Sequence, residues 1–149
     1  MQKEQRKLVI TKNEKIIDEK TFSSSQEMME FASQFSKRLT GGDVLLLSGE
    51  LGAGKTTFTK GLAQGFGVTR DVTSPTFIIM NIYAVSHSKE NIVQLCHIDA
   101  YRLSSNEELL AIGTDEYIGE PRTITALEWP ERVYKKYPPS AYILKFELV

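Results

Sequence analysis

The sequence has little of what marks secreted, membrane-spanning or polyanion-binding chains. Its single cysteine, Cys96, has no partner for an internal disulfide, so we expect a protein of the reducing cytoplasm. No run approaches the ~18 consecutive apolar residues of a membrane span, and the first residues lack the apolar core of a signal peptide. With 18 Lys+Arg against 19 Asp+Glu, the net charge of −1 speaks against broad capture of a polyanion, while leaving room for a small basic site.

The chain has the size and composition of one ordinary globular domain. At 149 residues it is long enough to bury roughly 68–70% of its unfolded surface without disulfides or a structural metal. Hydrophobic residues make up 41% and charged residues 25% of the sequence, which argues against a disordered or fibrous chain. No internal repeat or low-complexity linker interrupts it, so we expect a single domain over residues 1–149.

Apolar periodicity predicts strands mixed with helices. Strands are predicted over residues 8–10, 16–17, 44–48, 76–85, 91–99, 123–129 and 141–149, and helices over residues 25–39, 55–64, 104–113 and 131–136. The first two strands, and the two on either side of residues 86–90, are expected to form hairpins. The uniformly apolar run VLLLS is typical of a parallel strand buried on both faces. The pattern indicates an α/β fold with a mixed sheet.

Capping signals predict the ends of two helices. Ser24 and Ser104 each stand three residues before a glutamate, which is the spacing of a capping box. The glycine pair at 41–42 is expected to end the first helix at Arg38 or Leu39, because glycine accepts the left-handed conformation that follows a helical C-terminus.

The strongest functional signal is a glycine-rich motif between an apolar strand and a helical pattern. It matches G-x-x-x-x-G-K-[ST] throughout and reads Gly49-Glu50-Leu51-Gly52-Ala53-Gly54-Lys55-Thr56. In such a loop the backbone N–H groups wrap around phosphate oxygens, and the helix dipole adds positive potential. Lys55 would reach the β- and γ-phosphates, and the Thr56 hydroxyl would bind Mg²⁺. The sequence therefore predicts a nucleoside-triphosphate site in a three-layer, P-loop NTPase-like fold, with helices flanking the sheet.

Two acidic residues at the ends of predicted strands are candidates for chemistry at the phosphates. Asp99 could supply the acidic ligand that completes a magnesium shell, or it could only cap the following turn. Glu128 could orient the attacking water or extend the magnesium shell, or it could be an edge-exposed acid. We favour Glu128 for the water, because Asp99 is better placed as a metal ligand.

Four further residues have both a functional and a structural interpretation. Strand alternation puts His97 on the same face as Asp99, where it is either functional or satisfied within the core. Arg102 could contact phosphate or pair with a surface carboxylate, and Trp129 could stack on a base or belong to the core. Thr76 follows the phosphate helix, where it could sense the γ-phosphate or simply lead into a strand.

Taken together, the segments GELGAGKTT, SPTF, HIDAYRL and LEWPE make the chain resemble the bacterial TsaE family, also called YjeE, over residues 31 to 131. The family is the ATPase component of tRNA threonylcarbamoyladenosine biosynthesis. The resemblance implies a P-loop α/β fold that hydrolyses ATP slowly alone and acts with a TsaD–TsaB pair. TsaD transfers a threonylcarbamoyl group to adenosine 37 of tRNAs that read codons beginning with A. ATP hydrolysis would reset that complex between turnovers.

The resemblance also implies roles for particular residues. Lys55 and Thr56 match the family's phosphate and magnesium residues. Asp99 matches its Walker-B-like acid, and Glu128 with Trp129 matches its Glu-Trp pair.

Two further threonines match the family pattern, and two segments of the chain differ from it. Thr57 matches the family's second threonine, and Thr76 matches its switch-like segment. The tip of the second hairpin is rather long, which puts no chemistry in doubt. Residues 107–117 only loosely resemble the family's acidic, aromatic segment, which leaves the partner-facing surface open.

Two other classes of function stay open. A small-molecule or nucleotide kinase would share the phosphate loop, although little chain follows Lys55 to build a substrate pocket and an Arg-rich lid. A nucleotide-controlled binding module would need ATP binding without essential turnover. A GTPase is disfavoured because no [N/T]-K-x-D motif follows the loop, so ATP is the expected nucleotide. Whether tRNA touches this chain directly is also open.

Overall fold

The computed structural model describes residues 4–75, 79–86, 88 and 91–149. Their strands are β1 (Arg6–Lys12), β2 (Lys15–Phe22), β3 (Val44–Gly49), β4 (Met80–Ala84), β5 (Gln94–Asp99), β6 (Thr123–Glu128) and β7 (Tyr142–Leu148). Their helices are α1 (Ser25–Phe35), α2 (Lys55–Gly65) and α3 (Asn106–Ala111), with 3₁₀ turns at Ser36–Arg38, Thr114–Glu116 and Pro130–Arg132. None of these helices is long and apolar enough to cross a membrane.

Within the described residues, the seven strands form one mixed sheet in the order β2-β1-β7-β3-β6-β5-β4. The central strands β7, β3, β6 and β5 are parallel, and antiparallel strands complete both edges. Both expected hairpins are confirmed, because β1 pairs with β2 and β4 pairs with β5. The carboxyl ends of the parallel strands meet at one edge of the sheet, which is where open α/β sheets bind ligands.

Helices cover both faces of the sheet, so the expected α/β architecture is confirmed. On one face α1 packs against α2, and the inward side chains expected on α2, Phe58, Leu62 and Phe66, are all buried. On the other face Leu109 of α3 packs on apolar residues of β5 and β6. Burial on both faces explains why β3 is uniformly apolar.

The N-terminus of α1 is confirmed, but its C-terminus lies earlier than expected. The Ser24 hydroxyl accepts a hydrogen bond from the Glu27 N–H at 3.2 Å, as the capping spacing predicts. The helix ends at Phe35 and continues only as a 3₁₀ turn. Leu39 is already extended (φ −86°, ψ 145°) and buries its side chain in the core. Burial of Leu39, rather than the glycine pair, therefore ends the helix.

The expected cap of α3 is wrong by one residue. The N-cap is Ser105, whose hydroxyl accepts from the Glu108 N–H at 3.1 Å. Ser104 instead donates through its own N–H and hydroxyl to the Glu108 carboxylate. Two adjacent serines permit either register locally, and the observed one buries Leu109 completely. Tertiary packing therefore chose the register.

Three further expectations change around the strand ends. The helix expected over 131–136 is wrong, because only the 3₁₀ turn Pro130–Arg132 forms. Val133, which follows the turn, has already left helical geometry (φ −120°, ψ −20°) and is buried in the core. β6 ends before Trp129, which is left-handed (φ 62°, ψ 50°). β4 begins at Met80, and the first residues of the strand expected over 76–85 lie outside the described part of the chain.

Candidate functional site

The phosphate loop (residues 49–56) connects β3 to α2, and its path requires glycine at two points. A Cβ on Gly49 would lie 2.6 Å from the carbonyl oxygen of Phe146 on β7. Gly54 caps α2 in a left-handed conformation (φ 115°), where a Cβ would lie 2.6 Å from Met28 of α1. The loop is therefore held closely between the neighbouring strand and helix, and it presents the N-terminus of α2 to the sheet edge.

Lys55 is the first residue of α2, and its side chain turns back over the loop. Its ammonium donates to the Gly49 carbonyl and lies 3.5 Å from the centroid of the Trp129 ring. Burial lowers the pKa of Lys55 from its ordinary value of 10.5, and Glu128 opposes that shift more strongly than Asp99 does. A desolvated cation beside an aromatic face and a carboxylate is a group prepared to meet an anion.

Glu128 ends β6 and is almost completely buried, at 3% exposure. Both of its carboxylate oxygens contact the Thr56 hydroxyl, at 3.4 and 3.3 Å. Its Oε2 also lies 2.6 Å from Nε2 of His97. The alternative of an edge-exposed acid is therefore wrong for Glu128. Its carboxylate is held on two sides, next to the residue expected to bind magnesium.

His97 combines the two interpretations that its position allowed. Its ring is fully buried on the α1 and α2 side of the sheet, and its single hydrogen bond in the described part of the chain is to Glu128. Where the Glu128 carboxylate is ionised it only accepts hydrogen bonds, so Nε2 is the donor of this pair. Nδ1 has no hydrogen-bond partner within residues 4–75, 79–86, 88 and 91–149. The ring is a core residue that holds a carboxylate of the site.

Asp99 ends β5, directly beside Glu128 in the parallel register. Its Oδ1 accepts from the Tyr101 N–H at 3.0 Å, and its Oδ2 accepts from the Ser74 hydroxyl at 3.4 Å. The turn-capping interpretation is therefore correct, and it is compatible with a functional one because Asp99 also faces the cavity described next.

A cavity of about 540 Å³ opens above the loop and the strand ends. Its described lining residues are Arg6, Ser25, Leu51, Gly52, Gly54, Lys55, Thr56, Thr57, Ser74, Asp99, Tyr101, Glu128 and Trp129. Most of the sequence-predicted site residues are in this set. Glu50 is exposed and Ala53 is buried beneath the loop, so neither side chain lines the cavity. Thr76 lies outside the described residues.

Sequence reasoning missed Arg6, Ser25 and Tyr101 as cavity residues, and it considered Ser74 only as part of a longer segment. Tyr101 and Ser74 had a signal, because each stands inside a motif already noted. Arg6 had no such signal, because it stands 43 residues before the loop motif in the sequence. Only the fold brings it to the loop. Arg102 is exposed and is not among the described residues that line the cavity.

Trp129 lines the cavity beside the buried Lys55. One ring neighbour is the Lys55 ammonium, and the other is Tyr101, at a centroid distance of 5.1 Å and an edge-on angle of 61°. Tyr101 is in turn covered by the Arg132 guanidinium at 4.8 Å. The left-handed backbone of Trp129 is unusual for a bulky residue, and it turns the chain sharply after Glu128. The tryptophan therefore forms one wall of the site.

The oxygen atoms around the loop suit a magnesium ion that is bound together with phosphates and water. They suit a metal ion bound by protein ligands alone less well. No group of three or more His, Cys, Asp or Glu residues in the described ranges could hold a metal ion. Mg²⁺ usually needs only one or two protein oxygens, because phosphates and water complete its shell. Thr56, Asp99 and Glu128 provide hard oxygen donors of that kind on one cavity. The donor set fits Mg²⁺ bound together with a nucleotide.

The glycine-rich loop between a parallel strand and a helix, with acids on the neighbouring strand ends, defines a P-loop-type nucleotide-binding protein. Comparison with known proteins narrows this class. The family model for "Threonylcarbamoyl adenosine biosynthesis protein TsaE" matches residues 22–148. The chain belongs to the TsaE family.

Individual relatives agree with this assignment. The chain is 37% identical over 129 residues to the tRNA threonylcarbamoyladenosine biosynthesis protein TsaE of Borreliella burgdorferi, which covers 86% of this chain and 90% of that protein. It is 41% identical over 106 residues to the TsaE protein of Synechocystis, covering 70% of this chain but only 64% of the relative. A crystal structure of Bacillus subtilis YdiB matches with a TM-score of 0.57 and 28% identity, covering 94% of this chain and 76% of that one.

Proposed function

We propose that this chain binds and hydrolyses ATP with Mg²⁺ and thereby supports formation of threonylcarbamoyladenosine at position 37 of tRNA. The observation that carries the proposal is the convergence of Lys55 and Thr56 with Asp99 and Glu128 on one cavity. Membership of the TsaE family supports the pathway. TsaD and TsaB are the expected partners, tRNA is reached through that complex, and hydrolysis resets it between turnovers. A cytoplasmic location suits the lone cysteine.

The loop and its neighbours would hold the nucleotide. Backbone N–H groups of residues 50–54 would surround the phosphates, and Thr57 would add a hydroxyl one residue further along α2. Lys55 would leave the Gly49 carbonyl for the β- and γ-phosphates, a stronger acceptor for a partly desolvated ammonium. Trp129 would wall the site and limit the access of water, and Thr76 would follow the state of the γ-phosphate.

Thr56, Asp99 and Glu128 would hold the metal ion and the water. Mg²⁺, when bound, would neutralise charge that develops on the β- and γ-phosphate oxygens. Glu128 would orient the attacking water, because His97 and Thr56 restrict rotation of its carboxylate. Water would then attack the γ-phosphorus in line, and the bond to the β–γ bridging oxygen would break, so that this oxygen leaves as part of ADP. The attacking oxygen would stay in inorganic phosphate, and the protons of the water would pass to phosphate oxygens and to solvent.

Reconstitution tests this proposal. We would measure tRNA threonylcarbamoylation over many turnovers with purified TsaD and TsaB, with and without this chain, and with Lys55→Ala. Lys60→Ala is the matched control, since Lys60 is an exposed lysine on the same helix. We expect repeated turnover with the wild type and Lys60→Ala, and none with Lys55→Ala.

Each other outcome would contradict a stated part of the proposal. Modification that does not depend on this chain would contradict the pathway role. Sustained modification with a variant that binds ATP without hydrolysing it would identify a nucleotide-controlled binding module. A phosphorylated small-molecule product in place of free phosphate would identify a kinase.

A further inference from the structure

Arg6 reaches the phosphate loop from a part of the chain that the family model does not match. That model begins at residue 22, whereas Arg6 is the first residue of β1. In the sheet Arg6 pairs with Leu148 of β7, and Phe146 of β7 pairs with Gly49 at the end of β3. Two strand pairings therefore bring the start of β1 to the edge of the sheet where the loop begins.

The Arg6 side chain lies against the loop itself. Its Nε donates to the Gly52 carbonyl at 3.1 Å, and its Cδ is 3.6 Å from where a Cβ on Gly54 would stand. Arg6 also lines the cavity. Within the described part of the chain, Nε makes the only hydrogen bond of the guanidinium. Its terminal nitrogens carry four more N–H groups.

The cavity is electrically asymmetric across β3. The carboxylates Asp99 and Glu128 lie on β5 and β6, on one side of β3, and Arg6 lies on β1, on the other side. A phosphate loop directs the terminal phosphate towards its lysine and the metal-binding threonine, and it holds the inner phosphates along its backbone. The acids would therefore lie near the terminal phosphate. Arg6, which contacts the loop backbone at Gly52, would lie near the inner phosphates.

We propose that Arg6 is a nucleotide-binding residue that contacts the α- and β-phosphates, the part that ADP and ATP share. A guanidinium fork matches two phosphate oxygens at once, and its hydrogen bond to Gly52 holds it in place for that contact. The inference rests on the proposed function only for nucleotide binding, because it needs neither hydrolysis nor a partner protein.

Calorimetric titration of the full chain with ADP and with ATP tests the contact. Arg6→Gln is expected to raise Kd for both nucleotides by about tenfold or more, and by similar factors. Lys7→Gln is the matched control, because Lys7 is the next residue of β1 and pairs with Glu19 at 3.0 Å, away from the cavity. It should bind both nucleotides as the wild type does.

A salt series separates direct contact from support of the loop. If Arg6 contacts phosphate, the dependence of log Kd on log NaCl concentration is shallower in Arg6→Gln than in the wild type. A wild-type salt dependence would overturn the inference, because it would restrict Arg6 to holding the Gly52 carbonyl. Unchanged ADP affinity would overturn it as well, and so would a loss confined to ATP.

Arg6→Lys keeps the test decisive if Arg6→Gln does not fold. Lysine retains the charge but not the planar fork, so we expect both nucleotides to bind several-fold more weakly than to the wild type. Wild-type affinity in Arg6→Lys would then overturn the inference. Failure here leaves the proposed hydrolysis untouched, whereas a wild type that binds ADP but never hydrolyses ATP would contradict only the hydrolysis.

Discussion

Asp99 and Glu128 stand side by side at the ends of two parallel strands, yet they are held in different ways. Glu128 is bound by side chains from two other elements, His97 on β5 and Thr56 on α2. Asp99 is held by the backbone of its own turn, through the Tyr101 N–H, and by one serine hydroxyl. Equivalent positions in a sheet therefore do not confer equivalent environments.

The difference bears on what each carboxylate can do. A side chain fixed by tertiary contacts is preorganised, and preorganised groups are the ones that position a reactant efficiently. A side chain that is held by its local turn moves whenever that turn moves. On this comparison we keep Glu128 as the proposed group that orients water and Asp99 as the proposed metal ligand, and the assignment stays a prediction.

The largest expected effect comes from neutralising the two acids separately. Glu128→Gln should lower kcat for ATP hydrolysis by about 100-fold or more at saturating Mg²⁺, because the water loses the group that orients it. Asp99→Asn should chiefly raise the MgCl₂ concentration needed for half-maximal rate. Phosphate release measured across a MgCl₂ titration distinguishes the two. The reverse pattern would assign the water to Asp99.

A smaller effect is expected at His97, which should act through Glu128. His97→Phe keeps most of the ring volume but leaves the buried Glu128 carboxylate with the Thr56 hydroxyl alone, so kcat should fall by about tenfold with little change in KM. His97→Gln places an amide N–H near the position of Nε2 and should recover much of that loss. Equal kinetics for the two variants would show that the ring serves packing alone.

Lys55→Met should separate stability from binding. Because burial lowers the pKa of Lys55 below 10.5, the unfolded chain binds its proton more tightly than the folded one. The variant should therefore lose nucleotide binding while being more stable near neutral pH, by up to about 1 kcal/mol in nucleotide-free protein.

Urea unfolding at several pH values checks this sign. The stability advantage of Lys55→Met should shrink as the pH rises towards 10.5, where the wild-type lysine loses its charge. In double-mutant cycles of the free energy of unfolding, Lys55→Met should also couple more strongly with Glu128→Gln than with Asp99→Asn, since Glu128 acts more strongly on Lys55. Equal coupling energies would contradict the claim that Glu128 acts more strongly on Lys55 than Asp99 does.

The smallest effect is expected on the opposite face of β5, at Cys96. Burial raises the pKa of the Cys96 thiol from 9.0 to about 12. We expect no labelling of the folded protein by a thiol reagent at pH 8, and full labelling after unfolding. Burial of the neutral thiol contributes to the free energy of unfolding below pH 9.0, and this contribution is lost as the pH rises towards 12. Cys96→Ala should show a smaller alkaline loss; an identical one would contradict the assignment.

Much of the fold and part of the site could be predicted because their signals are local. The run VLLLS, the glycine motif and the helix after it are contiguous, and all three form as expected. Apart from the helix expected over 131–136, which does not form, the errors fall at element ends, where burial of Leu39 and Leu109 outweighed the local end signals. Capping involves one or two hydrogen bonds, whereas burying a leucine removes a whole apolar side chain from water.

The sequence by itself determined the phosphate loop, because eight consecutive residues specify its turn, its lysine and the helix that follows. Only the tertiary structure decided which distant groups share the cavity with it. Thr56 meets Glu128 across 72 positions of sequence, and Arg6 meets Gly52 across 46. The physical reason is strand order: hydrogen bonding between strands far apart in the chain brings their ends to one edge, and no local pattern encodes which strands are neighbours.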